Sequence, residues 1–325
     1  MKFGFLLECD QDFRGAVEQT ELAEELGYDS ILIAEHHNYV GYVPHPLVAL
    51  AGLATRTKRI ELGSFIVILP LYNPVQVAEE AAMVDFMSNG RLILGVGLGY
   101  VPEEFDSLGV PYQQRAGRME EAIPLLKKLW SEDDVEHEGK YYRFSHATVY
   151  PKPVRPNLPP VWVGGWVEAA IRRAARLADC WVPGPTVDFD TLSWCYSIYR
   201  DELASCGKSL DIEYAACREL FCAPTAQAAR ERGGANIFQF YQDTYLKWPH
   251  PHLKERERGF GYEDLVRDRF IVGDPDECIE AITKFRSLGI NHLLFRMQQP
   301  GVSWSDTVAS MRLLHEQVVP HFAES

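Results

Sequence analysis

The chain has no C-x-x-C pair, no run approaching eighteen apolar residues and no excess of positive charge. Each absence closes off a class of protein. The seven cysteines, at positions 9, 180, 195, 206, 217, 222 and 278, are odd in number and scattered. That spacing suggests neither a disulfide framework nor a zinc ribbon and reads as reduced thiols in a cytosol. Without a long apolar run there is no sequence candidate for a membrane-spanning helix, and the apolar tract after Met1 and Lys2 is too short for a secretory signal. The expectation is a soluble, cytoplasmic protein. Against 46 acidic residues stand 32 Lys and Arg, a formal charge of -14. Such a surface repels phosphate backbones and anionic lipid, so neither nucleic acid nor membrane is an expected partner.

Several catalytic motifs are missing as well. H-E-x-x-H is absent, no H-x-H sits at a strand end, and Cys9 stands alone, so no metal site is expected. Acyl transfer is disfavoured because no G-x-S-x-G occurs. Gly95-Val-Gly-Leu-Gly99 is not a dinucleotide fingerprint, since Tyr100 stands where the third glycine would be and Pro102 follows.

What the 325 residues do contain is alternation. Apolar runs at Lys2–Leu7, Ser30–Ala34, Ile60–Leu69, Leu92–Gly97, Pro160–Gly164, Cys180–Val182, Ile212–Cys222 and Asn291–Phe295 read as strands. Between and after them, helical periodicity covers Phe13–Leu26, Pro46–Thr57, Pro74–Met87, Arg115–Trp130, Glu168–Leu177, Phe189–Cys206, Pro275–Leu288 and Trp304–Val319. Asp274 before Pro275, with Gly289 beyond the end, supplies start and stop signals for one of them. Eight strand-plus-helix units predict an α/β fold, a (β/α)8 TIM barrel formed as a single domain over 1–325. An open doubly wound sheet is the alternative. Two stretches exceed what a barrel needs: 131–158, after the fourth helix, reads as a hairpin or extended excursion, and 225–269, after the seventh strand, as an aromatic-rich lid or mobile segment.

In a parallel barrel the chemistry lies at the C-terminal strand ends. The second run delivers Glu35-His36-His37 there, one carboxylate and two imidazoles. A capping role for Glu35 and a histidine explains the triplet as well as catalysis does, and His37 is expected to face outward and be structural. Gly97 and Gly99, at the rim of the fourth run, leave room for a flat ligand, while Gly95 reads as close packing. Gly164-Gly165-Trp166 precedes a helix, where bare amides can bind phosphate.

Taken in order, the segments resemble the bacterial luciferase-like monooxygenases. The matching tracts are Met1-Lys-Phe-Gly-Phe5, Glu25-Leu-Gly-Tyr-Asp-Ser30 leading to Ala34-Glu-His-His37, and Leu62-Gly-Ser64 with Ile68-Leu-Pro-Leu-Tyr-Asn-Pro74. They continue through Asp85-Phe-Met-Ser-Asn-Gly-Arg91, the glycine-rich fourth strand, Arg118-Met-Glu-Glu-Ala122, Pro160-Val-Trp-Val-Gly-Gly165 and Val272-Gly-Asp-Pro275. The resemblance implies a barrel, usually dimeric, that binds reduced flavin or the deazaflavin F420 in its mouth. It implies a non-proline cis peptide at Phe65–Ile66 supporting the ring system, and His36 as the catalytic imidazole, oriented by Glu35. It further implies cofactor contacts from Phe65, Ile66, Gly97, Gly99, Tyr100, Gly164, Gly165 and Trp166. Glu-His-His at the second strand end resembles the flavin branch, so reduced FMN is the expected cofactor and F420 the alternative.

On that resemblance the chain is a flavin-dependent (FMNH2) monooxygenase of a two-component system, fed by a separate flavin reductase and acting with O2 on a small organic substrate. An F420-dependent reductase or dehydrogenase, or a silent flavin-binding subunit, are the alternatives. Two departures stand out. The arginine that grips phosphate near the end of the family's fourth strand has no counterpart in Gly97-Leu98-Gly99, and Trp166 replaces the serine common after the glycine pair.

Overall fold

A computed structural model describes residues 1–7, 13–39, 41–155, 157–247, 252 and 259–323. Cys9 and most of the loop Trp248-Pro-His-Pro-His252, all but His252, lie outside the described residues.

The described residues form one ten-stranded parallel sheet, of which eight strands follow the predicted runs: β1 (Lys2–Leu7), β2 (Ser30–Ile33), β3 (Glu61–Ser64), β4 (Leu92–Gly97), β5 (Val161–Gly164), β6 (Cys180–Val182), β7 (Ala215–Cys222) and β8 (His292–Arg296). They pair in the order β7-β8-β1-β2-β3-β4-β5-β6, every pairing parallel. The short strand Ile271–Gly273 pairs parallel with the end of β7, and the sheet is curled: β7 meets the residue just past β6 at a hydrogen bond from Cys217 N–H to Pro183 O of 3.3 Å.

The curl explains the sequence pattern. Alternate residues point to opposite faces of a strand. One set, including Leu6, Leu32, Ile93, Trp162, Cys217 and Leu294, forms a cluster of its own. Their neighbours, such as Phe5, Ile31, Ile33 and Leu92, belong to the larger core with the helices. With both faces covered, the strands read as continuous apolar runs.

Helices follow the predicted places closely, with Pro46–Ala54, Pro74–Ser88, Arg115–Ser131 and Pro275–Arg286 among them. Asp274 caps the last of these, its carboxylate accepting from Glu277 N–H at 3.1 Å while the Glu277 side chain accepts from Asp274 N–H. The excursion over 131–158 holds an antiparallel pair, Val135–Glu138 with Arg143–Ala147. Within 225–269 lie helices Ala235–Asp243 and Tyr262–Arg269. They share a separate apolar cluster with Phe221, Ile237, Tyr241 and Leu265.

The third strand departs from expectation. The run Ile60–Leu69 is divided: β3 ends at Ser64, and Val67–Ile68 forms a separate short strand that also pairs with β4. Between them is the cis peptide Phe65–Ile66. Glycines make room for this bulge. A Cβ on Gly95 would lie 2.0 Å from Ser64 O, and one on Gly97 would lie 2.4 Å from Ile66 Cδ1. Gly97 is filled by Ile66, and Gly99, at φ +71°, by Ile68 and Phe105.

Candidate active site

The C-terminal strand ends surround a cavity of about 350 Å³, within the size range of small-molecule sites. All ten residues singled out from the sequence line it. Glu35 and His36 come from the end of β2, and Phe65 and Ile66 from the bulge. The end of β4 adds Gly97, Gly99 and Tyr100; β5 adds Gly164, Gly165 and Trp166.

Beyond Ile33 the chain leaves the sheet, and Glu35 makes an isolated parallel bridge with Val43. Glu35 was expected to orient His36, but its hydrogen bonds run to His37 and across the bulge. Glu35 Oε1 accepts from His37 Nε2 at 2.9 Å and from the Tyr72 hydroxyl at 2.8 Å, and Oε2 accepts from Ile68 N–H at 3.0 Å. Glu35 thus ties the strand end to the far side of the bulge. His37 is buried rather than outward-facing. The bond to Glu35, with that carboxylate's charge, raises the His37 pKa against the opposing effect of burial. Burial, reinforced by the Glu35 charge, pushes the Tyr72 phenol up.

His36 is held by Glu104. Its Nδ1 lies 2.9 Å from Glu104 Oε1, which also accepts the His37 N–H at 2.8 Å. Glu104 is 1% exposed and sits on the short helix Pro102–Ser107, which sequence reading missed. A carboxylate only accepts, so Nδ1 carries hydrogen, and in the neutral ring Nε2 is the acceptor. The Tyr100 hydroxyl lies 3.2 Å from that Nε2. Tyr42 packs edge-on against the imidazole, with ring centroids 4.6 Å apart. The arrangement presents one imidazole nitrogen and one phenol at the cavity, with the other nitrogen anchored on a buried carboxylate.

The remaining lining fits a flat apolar ring with a charged tail. Ile66, Leu6 and Val182 contribute apolar surface. Arg115, the first residue of helix Arg115–Ser131, also lines the cavity. It stacks 3.7 Å over the Tyr112 ring and donates to Tyr112 O at 3.0 Å, while its buried Nε has no hydrogen-bond partner. An orphaned buried donor of this kind suits a phosphate oxygen. Helix Glu168–Leu177 begins just after Gly165 and Trp166 with no side-chain cap at Val167, so its first amides could hold the same group. Trp166 stands edge-on to Trp181 at 6.3 Å. Arg172 and Arg176 are engaged by Glu202, and Arg173 by Glu120. Among the described residues, no group of three or more His, Cys, Asp or Glu is placed to hold a metal ion.

Sequence reasoning missed Glu104, Arg115 and Arg296. Arg296 was within reach, because it ends β8 and strand ends had already pointed to Glu35, His36 and the glycines of β4 and β5. Glu104 carries no motif and is brought to His36 only by the fold.

Similarity searches agree with this architecture. A protein from Nakamurella multipartita, described as an F420-dependent glucose-6-phosphate dehydrogenase, is 31% identical and aligns over 98% of this chain and 96% of its own. The oxygenase component of a flavin-dependent trigonelline monooxygenase from Acinetobacter baylyi is 26% identical, covering 95% of this chain and 89% of that protein. The crystal structure of a monooxygenase from Streptomyces bottropensis superposes with a TM-score of 0.88 at 26% identity, over 99% of this chain and 100% of that one. Residues 1–292 match the family described as luciferase-like monooxygenase, and with the curled parallel sheet and its cavity this makes the chain an oxidoreductase belonging to that family.

Proposed function

We propose that this enzyme is the oxygenase component of a two-component flavin-dependent monooxygenase. It receives reduced FMN from a separate flavin reductase and uses O2 to oxygenate a small organic substrate. The observation that carries the reading is His36, anchored through Nδ1 on buried Glu104 and facing the cavity through Nε2 beside Tyr100. Bound reduced FMN supplies the electrons that activate O2. His36 Nε2 accepts or delivers the proton this chemistry requires, Glu104 fixes its tautomer, and Tyr100 completes the hydrogen-bond chain. Glu35 acts through the bulge, holding Phe65 and Ile66 in the cavity wall where they would support the ring. Arg115 would take the phosphate, with Gly164, Gly165 and Trp166 from the neighbouring strand β5 lining the wall beside it.

The fold proposal that accompanies this is a complete (β/α)8 TIM barrel, one domain over 1–325 with insertions at about 131–158 and 225–269. We further infer a cytoplasmic homodimer. Phe86, Met83 and Met87 on helix Pro74–Ser88 and Val48 on Pro46–Ala54 form an exposed apolar set that suits a second copy. No described helix is long and apolar enough to cross a membrane.

An F420-dependent dehydrogenase is the second reading, favoured by the relative at 31% identity. Anaerobic titration with FMN, reduced FMN and F420, followed by oxygen-uptake measurement, separates the two. Tight binding of reduced FMN and substrate-dependent O2 consumption are expected. Binding of F420 alone, with turnover indifferent to O2, overturns the monooxygenase reading.

A further inference from the structure

The curled sheet has a seam where β6 and β7 face each other. Among the described residues no strand pairing joins them, and the backbone bond there is Cys217 N–H to Pro183 O at 3.3 Å. Side chains stitch edge groups on both sides. The Tyr196 hydroxyl donates to Ala215 O at 2.6 Å, and Trp181 N–H donates to the Tyr199 hydroxyl at 3.1 Å, both tyrosines coming from helix Phe189–Ser205. Arg218 completes the stitching. Cys217 belongs to the inner cluster, so its neighbour Arg218 faces the helices, and its Nη1 donates to Cys217 O at 2.9 Å and to Gly184 O at 3.4 Å. One guanidinium thus spans the seam.

Arg218 carries donors and charge that the protein does not meet. It is 0% exposed, and its Nε and Nη2 have no hydrogen-bond partner. It meets two carbonyls and, 4.7 Å from the guanidinium carbon, the Phe285 ring. No carboxylate bonds to it. The neighbouring acid Glu219 bonds to Arg296 instead, and Arg269, held by Asp188, adds a positive charge that acts against the first. Burial lowers the Arg218 pKa to about 10, which leaves it charged at neutral pH. Water can meet two donors but does not neutralise a buried charge, and burying an unpaired ion costs far more than burying an unbonded dipole. Nε and Nη2 share one edge of the guanidinium plane, and two parallel N–H groups of this kind close on an anion. Arg218 does not line the active-site cavity, whereas Gly184 does, so this edge lies behind the wall that Gly184 forms.

We propose that the Nε–Nη2 edge of Arg218 is a buried binding site for a small monovalent anion, a halide such as chloride, which locks the β6–β7 seam and with it the Gly184 wall of the cavity. The enclosure selects for size. With Arg218 fully buried between β7 and the helices that carry Tyr196 and Phe285, a compact ion enters and an organic anion does not. The assignment is independent of which cofactor the cavity takes.

Crystals of the full chain are soaked in sodium bromide and measured at the bromine absorption edge. An anomalous peak within hydrogen-bonding reach of Arg218 Nε and Nη2 is expected. A solvent peak there without anomalous signal, or bromide at surface positions only, overturns the proposal. In solution, thermal unfolding is compared in sodium chloride, sodium bromide and sodium gluconate at equal ionic strength. Both halides should raise Tm saturably, by about 2–4 °C over gluconate. Arg218→Met removes the charge, so it should lose that halide-specific rise and be at least as stable as the unmodified protein in gluconate. Equal Tm in the three salts, or the same halide response in Arg218→Met, overturns the proposal as well. The bromide measurement on the unmodified protein stands even if the variant does not fold.

Discussion

Replacing Gly97 by alanine tests the idea that the fourth-strand glycines exist to seat the bulge. The added methyl would lie 2.4 Å from Ile66 Cδ1 and 2.8 Å from Cγ1, well inside carbon–carbon contact distance. The backbone around Ile66 is held by Val67–Ile68 pairing with β4 and by Glu35 on the Ile68 amide, so the side chain must yield. Overpacking of this kind costs about 1–3 kcal/mol. Truncating the obstacle should relieve it: in Ile66→Ala/Gly97→Ala the two costs should be less than additive by about 1 kcal/mol or more. Gly95→Ala is the control, because its Cβ would meet Ser64 O at 2.0 Å, a backbone atom that no change at Ile66 removes. Urea unfolding of the four combinations gives the coupling energy. A Gly97→Ala variant of unaltered stability, or strictly additive costs with Ile66→Ala, would refute the account of these glycines.

Three further outcomes follow from the site. Glu104→Gln replaces the acceptor on His36 Nδ1 with an amide that no longer fixes the tautomer; kcat should fall by roughly 10²-fold and its pH profile should shift, with reduced-flavin affinity little altered. An unchanged profile would remove Glu104 as the positioning residue. Because the folded-state pKa of His37 is raised above its ordinary value of 6.5, its bond to Glu35 adds stability fully present below that pH and lost as pH rises through the higher folded value. The stability gap between the unmodified protein and His37→Gln should therefore shrink from pH 6 to pH 9, and a constant gap would contradict the assignment. Arg115→Met should weaken FMN binding at least tenfold and leave riboflavin, which lacks the phosphate, unaffected; equal weakening of both would place the phosphate elsewhere.

The fold was legible because a parallel sheet covered on both faces writes its strands as apolar runs. Lys2–Leu7, Leu92–Gly97 and Cys180–Val182 are observed with the bounds the pattern predicted. Asp274 was readable as a cap because capping is local, requiring only an acceptor three residues before the amide it serves. The divided third strand was not readable from periodicity: Val67 and Ile68 are as apolar as any other strand residues, and the cis bond at Phe65–Ile66 was expected only from resemblance to known proteins. Pairing errors at the site had the same origin. Glu35 and His36 are adjacent in sequence, yet beyond the end of β2 Glu35 bonds to His37 and His36 to Glu104.

By itself, then, the sequence determined the layers and the end of the sheet where chemistry collects, since both follow from periodicity and strand ends, while Phe65, Ile66 and Tyr100 at the cavity were expected from the family resemblance alone. Tertiary structure alone decided the partnerships. Glu104 reaches His36 across 68 positions, and Arg296 meets Glu219 and Tyr245 across 77 and 51. Hydrogen bonds between side chains so far apart depend on where the curl of the sheet brings strand ends together, and no local pattern records that distance.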